Sequence, residues 1–481
     1  MSGILTLIAD YIGLDDGLSV NNPANNQHIA TVKDWSEDET QNAILAAANA
    51  FKSWSGQTAK KRARILQRWY LLMREHQEEL AQIATLECGK PMAESRGEVV
   101  YGASFIEWFA EEGKRTCGTT IPTHAAGKRI MTLKQPIGVI AAITPWNFPL
   151  AMITRKIAPA LAAGCTAIVK PAEATPLSAL ALQVLARKAG VPEHVFTVVT
   201  TTDPARIGKI LTTHPIIRKL SFTGSTAVGK ILMQQAATTV KKVSMELGGN
   251  APFIVFGDAD IDAAVTGALA SKYRNAGQTC ISTNRFFIQD GIYDEFINRF
   301  TAKVAALKVG HGDDPATQIG PLINSAAVQK VENIVSASVA AGASLILGGA
   351  RHCAGDNFYA PTILGEVTMD MPAAHSEIFG PVAPIIRFRD EEEVIAAAND
   401  TPYGLAAYFY TRDLGRAWRM SEALEYGMVG VNDGDISTEV APFGGIKQSG
   451  IGREGASCGI DEYMEIKYCL MGGLDNVNPV E

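Results

Sequence analysis

Three short segments carry side chains able to do chemistry. RNAGQTC ends in Cys280, VSMELGGN contains Glu246, and TPWNFP contains Asn147. A cysteine is a nucleophile once ionised. With an ordinary pKa of about 8.5 it needs a site that stabilises the thiolate or supplies a base. A carboxylate can serve as a base, and a side-chain amide can donate to a developing negative charge. Each residue also has a plainer role open to it: Cys280 as a small packing residue, Glu246 as a surface carboxylate, Asn147 as a turn former.

The rest of the chain narrows these choices. Its seven cysteines (Cys88, Cys117, Cys165, Cys280, Cys353, Cys458, Cys469) are odd in number and scattered, with no C-x-x-C pair and no histidine cluster beside them. No metal site is expected. The first Lys or Arg is Lys33, so the N-terminal apolar run lacks the basic start of an export signal. A cytoplasmic, reducing setting with free thiols is the expectation. Cys280 is left as a nucleophile or a packing residue. The uncharged window from Ile137 to Thr154 contains Pro145 and Pro149, which argue against a membrane span. The net charge of −7, with no basic cluster, argues against a nucleic-acid partner.

The elements that must position these residues follow an α/β pattern. From 138 to 247, apolar runs such as GVIAAI, TAIVK, FTVVT, KLSFTG and KKVSMEL alternate with helical stretches, two of which stop at Gly164 and Gly190. That alternation predicts βαβ units and a parallel sheet. A second series begins near Asn250, with strands expected at PFIVF, RFFIQ, SLILGG, VAPIIRF, AAYFYT and MVGVN, and helices near 292–308, 324–341 and 391–399. The first 115 residues read as mostly helical. Two segments, 120–136 and 461–474, fit neither series and read as edge strands that pair with another subunit.

Two glycine motifs fail on context. GIGREG (450–455) matches a dinucleotide fingerprint in letters, but no strand precedes it. GSTAVGK (224–230) resembles a phosphate loop, yet Ile231 stands where a magnesium-binding hydroxyl is needed. Two simpler features survive. Ser225 and Thr226 open a helix whose free N–H groups suit a pyrophosphate. Lys170 and Glu173, at the end of strand TAIVK, have the chemistry to hold a ribose, with the Glu favouring NAD over NADP. An exposed Lys beside a helix-start Glu would look the same.

Taken together, PWNFP, KPAEATP, FTGS, MELGGN, GQTC, EIFGP and PFGGIKQSGIGRE occur in the order and at about the spacing of the aldehyde dehydrogenase superfamily, which this chain resembles over nearly its whole length. The resemblance implies a Rossmann-like NAD-binding domain (1–119 and 138–247), an α/β catalytic domain (248–445) and a small β oligomerisation domain (120–137 and 446–481). GIGREG then becomes a loop entering the last of these. It implies that Cys280 attacks an aldehyde, that Asn147 and the Cys280 amide hold the oxyanion, and that Glu246 activates the water that hydrolyses a thioester, with Lys156 and Glu454 assisting proton movement. The matching cofactor residues are Trp146, Lys170, Glu173, Gly224, Ser225, Leu247, Glu377 and Phe379, for NAD with NADP as the alternative. The expected partners are a small aldehyde and further copies of the chain, as a dimer or tetramer.

Within the superfamily the resemblance is strongest to the succinate-semialdehyde branch, whose distal carboxylate is bound by residues matching Arg155, Arg274 and Ser437. A forked guanidinium suits a carboxylate. Glutarate semialdehyde, one methylene longer, and uncharged aldehydes are the alternatives. Some members of this branch carry a second cysteine two residues after the nucleophile; Ser282 stands there, so no disulfide switch is expected.

Overall fold

The computed structural model describes residues 5–474; residues 1–4 of the expected NAD-binding domain and 475–481 of the expected oligomerisation domain lie outside the described residues. Strands Val139–Ile143 and Thr166–Lys170 are buried from end to end, which is why they read as unbroken apolar runs. Helices Ala151–Ala163 and Pro176–Ala189 stop where Gly164 (φ 106°) and Gly190 (φ 103°) take the left-handed conformation.

Five of these strands form the parallel part of a six-stranded sheet. Its spatial order is Gly450–Ile451, Lys242–Glu246, Ile217–Thr223, Val139–Ile143, Thr166–Lys170, Phe196–Val198. The chain order runs outward in both directions from the pair Val139–Ile143 and Ile217–Thr223. Such a reversal leaves a crevice at the C-terminal strand ends, where open α/β sheets bind ligands. Trp146 and Asn147 follow one of these strands, and Gly224 and Ser225 follow the other.

The second sheet has seven strands in the order Ser344–Leu347, Thr362–Gly365, Val382–Phe388, Thr283–Gln289, Ala251–Val255, Ala406–Tyr410, Met428–Val431, all parallel except the first. Its strand Thr362–Gly365 and helices Ile261–Tyr273 and Leu414–Ala423 were not anticipated. The first is only four residues long, and in Ile261–Tyr273 alanines stand on both the buried and the exposed sides, so no apolar face stands out in the sequence. The N-terminal ends of this sheet face the C-terminal ends of the first.

The two unassigned segments pair with each other. Met464–Met471 runs antiparallel to Arg129–Pro136 over eight positions, and Thr120–Ile121 adds a short third strand. Met464–Met471 remains an edge, with Ile466, Tyr468 and Leu470 exposed. The GIGREG run, expected as a loop, begins with a two-residue strand against Met245–Glu246. A Cβ on Gly450 would lie 2.0 Å from the Met245 carbonyl, so only glycine allows this approach. No helix among the described residues is long and apolar enough to cross a membrane.

Candidate active site

The site lies where the two sheets face each other. Strand Lys242–Glu246 ends on Glu246, and Leu247–Asn250 carries the chain across to strand Ala251–Val255. Cys280 stands just before strand Thr283–Gln289, at the N-terminal strand ends of the second sheet. A Cβ on Gly249 would lie 2.4 Å from the Cys280 carbonyl oxygen, so the crossing backbone rests directly against the cysteine loop. That loop turns through three left-handed residues, Asn275 (φ 52°), Ala276 (φ 54°) and Gly277 (φ 76°). At Gly277 a side chain would also strike the Gly380 carbonyl, 2.3 Å away.

A cavity of about 350 Å³ opens here. It is lined by Cys280, Asn147, Trp146, Arg155, Gly224, Ser225, Leu247, Arg274, Glu377, Phe379 and Ser437, all of them singled out in the sequence. Lys156, Glu246 and Glu454 are not in its wall but buried nearby. Lys170 and Glu173 stand apart from it, at the end of the neighbouring strand Thr166–Lys170. Sequence reading overlooked Tyr101, Phe148 and Phe443 in the lining.

A dense ionic cluster sits on the buried side. Glu454 accepts from Arg155 Nε at 2.5 Å and from Lys156 Nζ. Burial opposes ionisation of Glu454, but Lys156 and Arg155 hold its carboxyl at about 2. Arg155 keeps its charge firmly beside this anion despite burial, its guanidinium carbon 4.0 Å from the Phe443 ring centre. Its Nη2 is buried without a hydrogen-bond partner among the described residues. Burial, reinforced by the negative Glu454, pushes Glu246 up to about 8, and Glu246 Oε2 has no partner among the described residues. Burial also pushes the Cys280 thiol up to about 12, with Arg155 acting against it.

Asn147 donates from Nδ2 to the Gln278 carbonyl at 2.9 Å, while its Oδ1 is buried and unpaired among the described residues. One amide hydrogen of Nδ2 is therefore left to face a reacting oxygen. The Cys280 amide takes no part in the backbone hydrogen bonding of its loop. Nearer the opening, Arg274 contacts Asp435 Oδ1 and Ser437 Oγ, each at 3.4 Å, with Phe148 stacked 5.5 Å away. These are long contacts, easily exchanged.

The cofactor candidates suit a dinucleotide. Ser225 caps helix Thr226–Ala236, its hydroxyl accepting from the Val228 amide at 3.3 Å, which leaves other first-turn amides for an anion. Leu247 packs so closely on Gly229 that a Cβ there would meet it at 2.5 Å. Lys170 and Glu173 form an ion pair at their strand end. Glu377 accepts from the Gly249 amide at 3.0 Å, and left-handed Phe379 (φ 57°) meets Trp146 edge-on at 5.7 Å.

The supports beneath these residues went unread. Lys90 Nζ donates to Glu98 Oε2 and to the Asn147 carbonyl, both at 2.6 Å. Glu98 Oε1 accepts from the Leu150 and Ala151 amides, at the start of the helix that carries Arg155 and Lys156. Glu94 Oε2 accepts from the Asn275 amide at 2.8 Å. Asn275 Nδ2 in turn donates to the Asn147 carbonyl at 3.1 Å. The signal was a four-residue spacing of charges in KPMAESRGE (Lys90, Glu94, Glu98), which resembles an ordinary solvated face.

Comparison with known proteins bears directly on this arrangement. The sequence profile described as "Aldehyde dehydrogenase family" matches residues 13–469. The chain is 56% identical to a 3-sulfolactaldehyde dehydrogenase of Pseudomonas putida, covering 97% of this chain and 96% of that one. It is 58% identical to a succinate-semialdehyde dehydrogenase [NADP(+)] of Escherichia coli (strain K12), covering 95% of each. It is 56% identical to a glutarate-semialdehyde dehydrogenase of Pseudomonas aeruginosa, covering 96% of each. The crystal structure of a succinate-semialdehyde dehydrogenase from Burkholderia pseudomallei superposes with a TM-score of 0.94 at 58% identity, over 95% of each chain.

Proposed function

Since the chain belongs to the aldehyde dehydrogenase family, we propose that it oxidises a short aldehyde carrying a distal anion to the acid, with succinate semialdehyde as the first candidate. The observation that carries this reading is the convergence of the unpaired Arg155 Nη2, the loosely held Arg274 and Ser437 on the cavity that contains Cys280. A carboxylate entering there gains charge-assisted hydrogen bonds that a neutral aldehyde cannot make.

In this mechanism the buried Cys280 thiol must lose its proton before it attacks. Glu246, lifted by burial to about 8, is a matched acceptor near neutral pH. Asn147 Nδ2 and the Cys280 amide receive the oxyanion as sulfur bonds to the aldehyde carbon. Ser225 and Gly224 would hold the pyrophosphate of a nicotinamide dinucleotide, Lys170 and Glu173 its adenosine ribose, and Trp146, Leu247, Glu377 and Phe379 its nicotinamide end. When bound, that group supplies the hydride acceptor. Once Glu246 has released the thiol proton to solvent and the acyl group sits on Cys280 as a thioester, Glu246 takes the proton of the attacking water, the Cys280 thiolate leaves, and Lys156 and Glu454 hold the charge beside it.

The finer assignments belong to the same reading. Glu173 favours NAD, because a 2′-phosphate would face its carboxylate. Residues 1–119 with 138–247 serve as the cofactor domain, 248–445 as the catalytic domain, and 120–137 with 446–481 as the oligomerisation domain. The open edge Met464–Met471 would receive another copy in a cytoplasmic dimer or tetramer. Glutarate semialdehyde is a second substrate reading, since a pocket separates chains one methylene apart by only ~1–3 kcal/mol. The test is dinucleotide reduction by purified protein with succinate semialdehyde, glutarate semialdehyde and butyraldehyde. A large preference for the charged aldehydes is expected. Equal rates on butyraldehyde would remove the anion pocket, and silence with both NAD and NADP would remove the chemistry.

A further inference from the structure

Arg274 owes its position to an unusual piece of backbone. The residues after it, Asn275 and Ala276, are non-glycine residues in the left-handed region. Such a turn persists only where surrounding groups hold it. The Asn275 side chain contributes through the Asn147 and Gln278 carbonyls. Among the described residues, the backbone amide of Asn275 is held by the Glu94 side chain, at 2.8 Å.

Glu94 stands in the first turn of helix Met92–Glu112 and forms no ion pair among the described residues. The amide of Asn275 is its one hydrogen-bond partner there. Glu98, one turn further on, is already committed to Lys90 and to the Leu150 and Ala151 amides, so it cannot substitute. Burial pushes Glu94 up to about 7, with Lys90, the Asn275 amide and Arg274 pulling it back. This half-buried carboxylate thus has a single hydrogen bond among the described residues, and it goes to the residue next to Arg274.

We propose that Glu94 is a positioning residue for substrate selection: by holding the Asn275 amide it fixes the left-handed turn that aims Arg274 at the distal anion. This rests on the anion-pocket reading above. The function it assigns is specificity, because Arg274 adjoins the held amide, whereas Cys280 lies five residues further along the loop, Asn147 is also held through Lys90 and the Gln278 carbonyl, and Glu246 stands on a strand of the other sheet.

The test compares Glu94→Ala and Glu94→Gln with the unaltered enzyme on succinate semialdehyde and butyraldehyde. Glu94→Ala should raise KM for the semialdehyde about tenfold, the scale of one hydrogen bond to a charged group, while kcat and the butyraldehyde KM stay within about threefold. Glu94→Gln keeps an acceptor oxygen and should restore the semialdehyde KM to within about threefold. A fall in kcat on both aldehydes at unchanged KM would overturn the proposal, as would a Glu94→Ala enzyme identical to the original. A Glu94→Gln enzyme as impaired as Glu94→Ala would overturn it too. Should Glu94→Ala fail to fold, Glu94→Asp, one methylene short, takes its place with the same expected rise. An unaltered enzyme with no preference for the charged aldehyde would sink the anion pocket itself; a preference untouched by the variants leaves the pocket and removes only Glu94.

Discussion

Arg155 and Arg274 look interchangeable in the sequence, as two guanidinium groups for one distal anion, but the fold gives them different work. Arg155 is 1% exposed, with Nε committed to Glu454 and Nη2 buried without a partner among the described residues. Arg274 is 31% exposed and touches Asp435 and Ser437 at 3.4 Å. The first belongs to a buried ionic cluster that sets the protonation of Glu246, whereas the second belongs to the mouth of the cavity. The contrast separates a guanidinium tied to both the chemistry and the distal anion from one that serves the anion alone: one side is desolvated and mutually dependent, the other exposed and adjustable.

Four substitutions break or sharpen that contrast. On the buried side, Glu246→Gln should lower the steady rate ~10²–10⁴-fold, the usual loss for a general base, while a burst of NADH from acylation remains. Rapid mixing shows it, and an undiminished steady rate without a burst removes Glu246 from deacylation. The same variant reports on burial. The folded pKa of Glu246 is raised above its unfolded value, so the enzyme loses stability as pH climbs from the ordinary carboxylate range through about 8. Glutamine has no such loss, and its Tm advantage should widen between about pH 5 and about pH 9. Arg155→Met should cost ~3–5 kcal/mol in denaturant melts by leaving Glu454 with Lys156 alone, and should depress turnover on charged and neutral aldehydes, with a further rise in KM for the charged ones as Nη2 is lost. Arg274→Met should leave stability alone and raise only the KM for charged semialdehydes, by ~10–150-fold for ~1.5–3 kcal/mol of charge-assisted bonding. If both arginine variants behaved alike, the division would be wrong. Ser437→Ala, losing one neutral donor, should move the same KM by ~2–10-fold.

What could be read beforehand followed from how local the signal was. The parallel strands are unbroken apolar runs, and the helix stops at Gly164 and Gly190 are single-residue features, so both were legible. Cys280, Glu246 and Asn147 were legible only jointly, since each sits in a segment with an ordinary alternative use. Lys90, Glu94 and Glu98 were not, because their partners are backbone groups far along the chain, including those of Asn147, Leu150 and Asn275. A backbone amide has no letter of its own. The strands Arg129–Pro136 and Met464–Met471 were recognised as strands but not as partners, since nothing in a polar, alternating strand names its neighbour across more than three hundred residues.

Asp435 adds a kinetic consequence. It is 60% exposed and tethered a few residues from Ser437, so between turnovers Arg274 is in contact with an anion of the protein itself. A tethered carboxylate acts at high effective concentration without binding tightly. An arriving substrate therefore exchanges with a resident ligand, and a departing diacid is displaced as much as released. Under the function proposed here, the contact that looks like a weak surface ion pair shortens the residence time of the product.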